Sequence, residues 1–252
     1  MKLIWIVCAT ALLSGQAVTS DLVSLGDVAP TVRREMRYQG AHNFVGRPIA
    51  GYLDPVCLLT RQAARALTEA QREAEERGYT LKVYDCYRPR SAVADFVQWA
   101  KGADQAMKAE FYPRVDKGRL FGDGYIAEKS AHSRGSTVDL TLVRLPARGQ
   151  RGYRPGEKLH ACDAKVRFPD NSIDMGTGYD CFDTTAHTLD PRVKGAAHAN
   201  RLLLKRLMRD AGFVNYPKEW WHYTLADEPF PQTSFDVPVQ DPHGPAAVAP
   251  GP

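Results

Sequence analysis

The stretch "SAHSRGSTVDLT" contains a histidine and a carboxylate at a spacing that suits a metal site. His132 and Asp139 lie on either side of Gly135, where a turn can bring an imidazole and a carboxylate toward one point. A catalytic zinc needs three protein ligands and an open fourth position for water. His222, far downstream, is the best candidate for the third ligand.

The stretch "EWWHY" places Glu219 three residues before His222. If this stretch is a strand, alternate side chains point to opposite faces, but local twist can still bring Glu219 and His222 to one site. Glu219 would then act as a general base on the zinc-activated water. The alternative is a buried aromatic strand with a hydrogen-bonded histidine, and Trp220 and Trp221 are expected to pack as walls in either case.

Arg88, in "YDCYRPRS", could add a positive charge to this site. It lies at the end of a predicted strand, directly before Pro89, so its guanidinium can project from the rim of the sheet. Beside a zinc site, the guanidinium could stabilise the oxyanion that forms when water attacks a peptide carbonyl. The alternative is a solvated surface charge.

The elements that must position these residues are a mixture of helices and strands without a regular βαβ repeat. Apolar periodicity and terminal glycines predict helices over residues 59–78, after Pro89, and over a run that ends at Gly212. Strands are predicted over residues 79–87, from Thr137, and at "EWWHY". This pattern favours an α+β fold: one domain with a small antiparallel sheet packed by helices and a zinc site at the sheet.

The two ends of the chain differ in composition from the rest. Residues 1–20 combine an early lysine, a short apolar run and small residues before Asp21, which indicates a cleaved signal peptide and an exported, periplasmic or secreted protein. Residues 21–239 form the predicted domain. Residues 240–252 are rich in proline and have little to bury, so they are predicted to be a disordered tail.

Four cysteines remain after the predicted signal is removed, and they permit three disulfide pairings. Cys162 and Cys181 bracket a loop-like stretch and are favoured as one pair, which leaves Cys57 and Cys86 as the other. The alternative is buried free thiols.

Composition argues against two classes of partner. The chain has 33 basic and 29 acidic residues, a formal net charge of +4 without long basic runs, so nucleic-acid binding is not expected. The early apolar run is too short to span a bilayer and no later stretch is apolar enough, so stable membrane association is not expected either.

Together, the three stretches resemble the D-alanyl-D-alanine dipeptidases of the VanX type, a family of zinc peptidases. The likeness extends over residues 37–239 and depends on S-x-H-x-x-G-x-x-x-D followed far downstream by E-x-W-H. It implies one zinc per chain, bound by His132, Asp139 and His222. It also implies that Glu219 is the catalytic base and that Arg88 stabilises the transition state.

The resemblance further assigns a pocket for the substrate. The segment "MGTGYDCFD" is similar to the one that holds the substrate's ammonium group, which falls on Asp180, and Tyr38 and Ser130 match positions that line the same pocket. Two features depart from the family: the stretch from Arg144 to Asp174 is longer, and Cys86 stands where a small residue is typical. These departures affect the shape of the pocket.

The function that this resemblance implies is hydrolysis of D-alanyl-D-alanine to two D-alanines, in turnover or salvage of cell-wall peptides. The substrate would be a small dipeptide. One alternative is a D,D-carboxypeptidase that acts on longer peptidoglycan peptides. Another is a zinc-stabilised binding module without catalysis, against which Glu219 argues because a structural zinc needs no base.

Overall fold

The computed structural model describes residues 21–244. The predicted signal peptide, residues 1–20, and residues 245–252 of the predicted tail lie outside the described residues. Residues 240–244 contact the domain: the backbone N–H of Asp241 donates to the Asp54 carboxylate at 2.8 Å, and His243 Nε2 lies 2.8 Å from Asp27 Oδ2. Within residues 21–244, no helix has the length and apolar character that crossing a bilayer requires.

Seven strands and five α-helices make up the regular structure of the described residues. The strands are β1 (Leu22–Ser24), β2 (Arg33–Arg34), β3 (Leu58–Thr60), β4 (Tyr79–Asp85), β5 (Thr137–Arg144), β6 (Phe213–Asn215) and β7 (His222–Leu225). The helices are α1 (Leu25–Val28), α2 (Arg61–Glu76), α3 (Arg90–Lys101), α4 (Lys108–Phe111) and α5 (Gly195–Asp210). Short 3-10 helices span Arg37–Gln39, Lys117–Arg119, Ala131–Arg134 and Thr184–Ala186.

The central sheet has five strands in the order β2-β4-β5-β7-β6. All neighbours are antiparallel except β2 and β4, which form a parallel pair at one edge. Strands β1 and β3 form a separate antiparallel pair. This arrangement confirms the α+β prediction of a single domain with a small, mainly antiparallel sheet packed by helices.

Helix α2 shows why the predicted elements form where they do. The side chain of Thr60 caps its first turn by accepting a hydrogen bond from the backbone N–H of Ala63 at 3.3 Å. Ala63, Leu67 and Ala70 recur at helical spacing and are buried, so one face of the helix packs into the core. Gly78, with a φ of 79°, reverses the chain into β4.

Most predicted elements agree with the observed ones, but the last strand begins later than expected. β4 ends at Asp85 rather than at residue 87, and α5 ends at Asp210, close to the predicted stop at Gly212. The prediction of a strand that starts at Glu219 is wrong. Residues 219–221 form a turn and β7 starts at His222, because the backbone N–H of His222 is directed at the Glu219 carbonyl, 3.4 Å away, instead of at a neighbouring strand.

Two apolar clusters fill the interior. One joins α2 and α5 to the sheet and includes Leu67, Leu207 and Leu140. The other is aromatic and includes Phe44 and Phe96. Aromatic side chains of the second cluster also line the candidate site described below.

The structure contains both favoured disulfides. Cys57 is bonded to Cys86, and Cys162 is bonded to Cys181. All four cysteines are buried.

Candidate active site

The pairing of β5 with β7 brings two of the predicted ligands together. Asp139 on β5 lies directly opposite His222, the first residue of β7, and side chains opposite each other in an antiparallel pair are neighbours on one face. His132 comes from the 3-10 helix that precedes β5. Gly135 ends that helix with a φ of 77°, and a Cβ at this position would lie 2.7 Å from the Leu22 side chain. The turn therefore requires glycine.

Three atoms of these side chains form a nearly equilateral triangle. His132 Nε2 lies 3.3 Å from Asp139 Oδ1, His222 Nδ1 lies 3.1 Å from the same oxygen, and the two nitrogens are 3.3 Å apart. Although both nitrogens are close to it, Asp139 Oδ1 is buried and has no partner with hydrogen-bond geometry among the described residues. A buried oxygen without a hydrogen-bond donor, lying between two imidazole nitrogens, is suited to bind a cation.

The triangle has the dimensions that a tetrahedral zinc requires. Ligand bonds of about 2.0–2.1 Å at tetrahedral angles put neighbouring ligand atoms about 3.3 Å apart. The donor set, two imidazole nitrogens and one carboxylate oxygen, is also one that zinc accepts, and it leaves a fourth position open. The residues present therefore fit the zinc ion that the sequence predicted.

His132 is held with its Nε2 free for a metal. Its Nδ1 lies 2.7 Å from the carbonyl oxygen of Cys86, so Nδ1 carries the proton and donates it to that carbonyl. This contact fixes the tautomer and the ring orientation, as is usual for metal-binding histidines.

Asp139 is held by a tyrosine that the sequence analysis missed. The hydroxyl of Tyr179 donates to Asp139 Oδ2 at 3.0 Å, which leaves Oδ1 as the ligand atom. Burial alone would raise the pKa of Asp139, but the imidazoles of His132 and His222 hold it well below its usual range, so the ligand is an anion. In the sequence, Tyr179 could have been recognised as a site residue only from its position directly before the predicted Asp180.

Glu219 lies beside the triangle and is not one of its corners. The turn over residues 219–221 places Glu219 Oε2 3.4 Å from His222 Nδ1. Burial raises the pKa of Glu219 to about 7; His222 opposes this shift and Asp139 adds to it. A cation held by the three ligands would lower this value, because an opposite charge favours the carboxylate.

Arg88 is fixed at the edge of the site by a buried carboxylate. Asp85 Oδ2 accepts from Arg88 Nε at 2.9 Å and lies 2.7 Å from Nη2, while Asp85 Oδ1 accepts from the Tyr52 hydroxyl at 2.6 Å. Arg88 Nη2 is 3.8 Å from Asp139 Oδ2. The alternative of a solvated surface arginine is therefore wrong. Asp85 and Tyr52 were not predicted as site residues from the sequence, although Asp85 lies in the quoted stretch that contains Arg88.

The residues predicted to bind substrate lie against one another. The Tyr38 hydroxyl donates to Asp180 Oδ2 at 2.7 Å, and the Arg88 guanidinium lies over the Tyr38 ring, 5.0 Å from its centre. Burial raises the pKa of Asp180 well above its ordinary value, and the nearby Asp139 carboxylate adds to the shift. Ser130 caps the 3-10 helix that carries His132 by accepting a hydrogen bond from its backbone N–H at 3.2 Å.

All the site residues predicted from the sequence line one cavity of about 240 Å³. They are Tyr38, Arg88, Ser130, His132, Asp139, Asp180, Glu219 and His222. This volume is below the roughly 300–1,000 Å³ that is common for drug-sized ligands, so the cavity suits a small ligand. A larger cavity of about 780 Å³, lined in part by Arg37, Glu110 and Asp170, contains none of these residues.

Comparisons with a family model and with individual proteins point to the same family. A family model described as D-ala-D-ala dipeptidase matches residues 18–149 and 161–240. The unmatched residues 150–160 lie within the stretch from Arg144 to Asp174 that the sequence analysis expected to be longer than in the family.

Three proteins named D-alanyl-D-alanine dipeptidase are similar over most of their length. The Streptomyces coelicolor protein is 37% identical over 223 residues, which is 88% of this chain and 100% of that protein. The Enterococcus faecalis protein is 37% identical over 85% of this chain and 96% of its own length. The Escherichia coli protein is 32% identical over 82% of this chain and 86% of its own length. The chain therefore belongs to the D-alanyl-D-alanine dipeptidase family of metallopeptidases.

Proposed function

We propose that this protein is an exported, zinc-dependent dipeptidase that hydrolyses D-alanyl-D-alanine to two D-alanines. The observation that carries the proposal is the convergence of the ligand triangle, Glu219, Arg88 and Asp180 on one small cavity. The relatives that share the family are named for the same reaction.

One zinc ion per chain would be held by His132 Nε2, Asp139 Oδ1 and His222 Nδ1. When bound, it supplies a Lewis acid that polarises the peptide carbonyl and activates the attacking water. The protein keeps these three atoms in place through the Cys86 carbonyl and the Tyr179 hydroxyl.

Glu219 moves the proton. Its carboxylate lies beside the ligand triangle, where it takes a proton from the attacking water and later delivers it to the leaving amine. Burial raises the pKa of Glu219 and a bound cation would lower it, and a carboxylate balanced between these two effects can both accept and donate a proton.

Arg88 stabilises the negative charge that develops on the carbonyl oxygen. The Asp85 carboxylate fixes its Nε and Nη2, so the guanidinium is oriented before substrate arrives. A charge placed in advance in a buried site stabilises the transition state without reorganisation during the reaction.

Asp180 and Tyr38 select a free amino terminus. A buried carboxylate with a raised pKa gains most from a ligand that brings its own positive charge. The ammonium group of a dipeptide is such a ligand, and the small cavity leaves little room for residues that precede it.

Export is proposed from the signal-like residues 1–20, and two disulfides in the domain are compatible with an oxidising compartment. In that location the enzyme would act on dipeptide released from the cell wall, in turnover or salvage.

The direct test is incubation of the purified protein with D-alanyl-D-alanine, its L,L isomer and a muramyl pentapeptide, followed by measurement of released alanine. The expected result is rapid cleavage of the D,D dipeptide alone. Comparable release of D-alanine from the pentapeptide would make the protein a D,D-carboxypeptidase. Stoichiometric zinc without cleavage of any substrate would make it a binding module. The Glu219→Gln variant is the matched control for contaminating peptidase activity.

A further inference from the structure

Each disulfide lies in a backbone segment that also carries part of the candidate site. Cys86 lies between Asp85 and Arg88, and Cys181 directly follows Asp180. The two bridges therefore reach different groups: one lies beside the carbonyl that orients His132 and beside Arg88, and the other lies beside the residue proposed to bind the ammonium, two positions after Tyr179.

The Cys57–Cys86 bridge acts on a segment that the sheet no longer holds. The β4–β5 ladder ends at the pair Asp85 and Asp139, after a register shift at Val83. The next carbonyl, that of Cys86, accepts the hydrogen bond from His132 Nδ1 at 2.7 Å, and the backbone N–H of Arg88 donates to the His132 carbonyl at 3.3 Å. These contacts depend on backbone that lies beyond the last paired residue of the strand.

The partner cysteine is anchored independently. The Cys57 carbonyl accepts a hydrogen bond from the backbone N–H of Leu25 at 2.8 Å, and the next residue, Leu58, pairs with Ser24 in the β1–β3 ladder. Both cysteines are fully buried. The bridge thus ties the segment that orients His132 to a fixed part of the core.

The Cys162–Cys181 bridge acts on Asp180, whose backbone is strained. Asp180 has a φ of 54°, the only positive φ of a non-glycine residue among the described residues. Such a conformation persists only where the surroundings enforce it. Cys162 is held from both sides, since its N–H donates to the Glu110 carbonyl at 2.9 Å and its carbonyl accepts from Gly178 at 2.7 Å.

We infer that the two disulfides are positioning elements with separate roles: Cys57–Cys86 orients His132 and Arg88 for metal binding and turnover, and Cys162–Cys181 orients Asp180 for substrate binding. The second half of this inference rests on the proposed function. The metal-binding part of the first half does not, because zinc affinity is measured without substrate.

The test compares two double variants, Cys57→Ala with Cys86→Ala and Cys162→Ala with Cys181→Ala. Alanine avoids free thiols that could themselves bind zinc. Zinc affinity is measured by competition with a chromogenic chelator, without substrate, and kcat and KM are measured with D-alanyl-D-alanine. The first variant is expected to bind zinc roughly 10- to 100-fold more weakly and to lose kcat, as for other groups that orient metal ligands. The second is expected to raise KM roughly tenfold and to weaken zinc binding less than the first, because Tyr179, which holds Asp139, is also fixed by its stack on Tyr84.

Loss of a disulfide also destabilises the whole domain, so a control must separate that effect. Leu67→Ala removes a buried side chain on α2, a helix that carries none of the site residues, and leaves both bridges intact. It should lower the melting temperature while leaving zinc affinity and KM near the wild-type values.

If one double variant does not fold, the folded double variant still contains the bridge of interest. Comparing this folded variant before and after reduction of that bridge replaces the failed comparison. The folded variant retains one bridge, and a water-soluble trialkylphosphine converts that bridge to two thiols while water supplies the oxygen of the phosphine oxide. After the phosphine is removed, methyl methanethiosulfonate caps each thiol as a methyl disulfide and releases methanesulfinate, so that neither thiol can bind zinc. Circular dichroism reports whether the fold persists, and the chelator reports zinc release.

Two results would overturn the inference. One is equal zinc affinity in wild type and a folded protein without the Cys57–Cys86 bridge. The other is a parallel loss of zinc affinity in both double variants and in Leu67→Ala, which would show a purely global effect. If no dipeptide is cleaved by the wild type, the proposed function fails, but the zinc comparison still decides the role of the first bridge.

Discussion

The hydroxyl of Tyr179 donates to Asp139 Oδ2 at 3.0 Å, while Oδ1 of the same carboxylate faces the imidazoles of His132 and His222. The Tyr179 ring is itself held by stacking on Tyr84, with ring centres 4.5 Å apart and planes at 18°. One carboxylate oxygen is thus committed to the protein and the other to the metal. This division makes Tyr179 a positioning residue for a zinc ligand.

Replacement of Tyr179 by Phe should weaken zinc binding by roughly tenfold, since groups that orient metal ligands commonly contribute 10- to 100-fold to affinity. The variant keeps the aromatic stack and removes only the hydroxyl. Competition with a zinc chelator measures the effect.

Tyr84→Phe is the matched control for this prediction. It removes a hydroxyl from the other ring of the same stack, one that donates to Asp170 at 2.7 Å and not to Asp139. Its zinc affinity should equal that of the wild type. Equal weakening in both variants would assign the effect to the stack and not to the hydrogen bond.

Glu219→Gln should separate metal binding from proton transfer. Zinc content should remain at one ion per chain, because Glu219 is not a corner of the ligand triangle, while kcat falls at least about a hundredfold, as expected for removal of a general base. Metal analysis and steady-state kinetics on the same preparation check both parts. His132→Ala, in contrast, should lose zinc, and retention of full zinc content in that variant would contradict its assignment as a ligand.

The chemistry of the site could be predicted from the sequence because residue type and local spacing carry it. His132, Gly135 and Asp139 lie within one short stretch, and the geometry that Gly135 allows is local. The helix over Arg61–Glu76 was likewise predictable, because its apolar periodicity reflects the face that it buries.

The supporting contacts could not be predicted because they form between segments that are distant in the chain. Tyr52 and Asp85 are separated by 33 positions and meet only when the loop before β3 packs over the end of β4. The turn before β7 was missed for a related reason. Aromatic residues favour strands, but Trp220 and Trp221 are buried here in a turn. The local sequence pattern does not distinguish a buried strand from a buried turn.

Asp180 should make the enzyme depend on a free amino terminus. A peptide with an acetylated amino group leaves the buried Asp180 without a cation, and breaking a buried ion pair costs about 3–5 kcal/mol. The wild type should therefore cleave D-alanyl-D-alanine about two to four powers of ten faster than its N-acetyl derivative, if the pairing persists in the transition state. Ratios of kcat/KM for the two peptides measure this preference.

Asp180→Asn should narrow that preference by slowing cleavage of the free dipeptide. Tyr38→Phe provides a graded comparison, because it removes the hydrogen bond to Asp180 but keeps the Asp180 carboxyl group and the ring beneath Arg88. Its effect should be smaller than that of Asp180→Asn. Comparable cleavage of free and acetylated dipeptides by the wild type would contradict the role of Asp180 and favour a carboxypeptidase.

Asp170 should make the stability of the domain sensitive to acid. Burial alone would raise its pKa, but Lys82 and Arg37 hold it well below its usual range. In the unfolded chain an Asp has a pKa of about 3.9. At pH values between the folded-state pKa of Asp170 and about pH 4, the unfolded chain therefore binds more protons than the folded protein. The stabilisation by ionised Asp170 is fully present above about pH 4 and is lost as the pH falls further toward the folded-state pKa.

Urea unfolding of chelator-treated protein measures this effect without a contribution from zinc release. At pH 7, Asp170→Asn should lower the free energy of unfolding by about 3–5 kcal/mol, because it leaves two buried cations with fewer partners. Between about pH 4 and pH 2, the difference from the wild type should shrink, since the Asp170 carboxylate becomes protonated in the unfolded wild-type chain while it stays ionised in the folded protein, which favours unfolding. Asp116→Asn, at a carboxylate that is 88% exposed, should change stability little at either pH. A constant difference between Asp170→Asn and the wild type across this range would show that the ionisation of Asp170 does not contribute to the acid sensitivity.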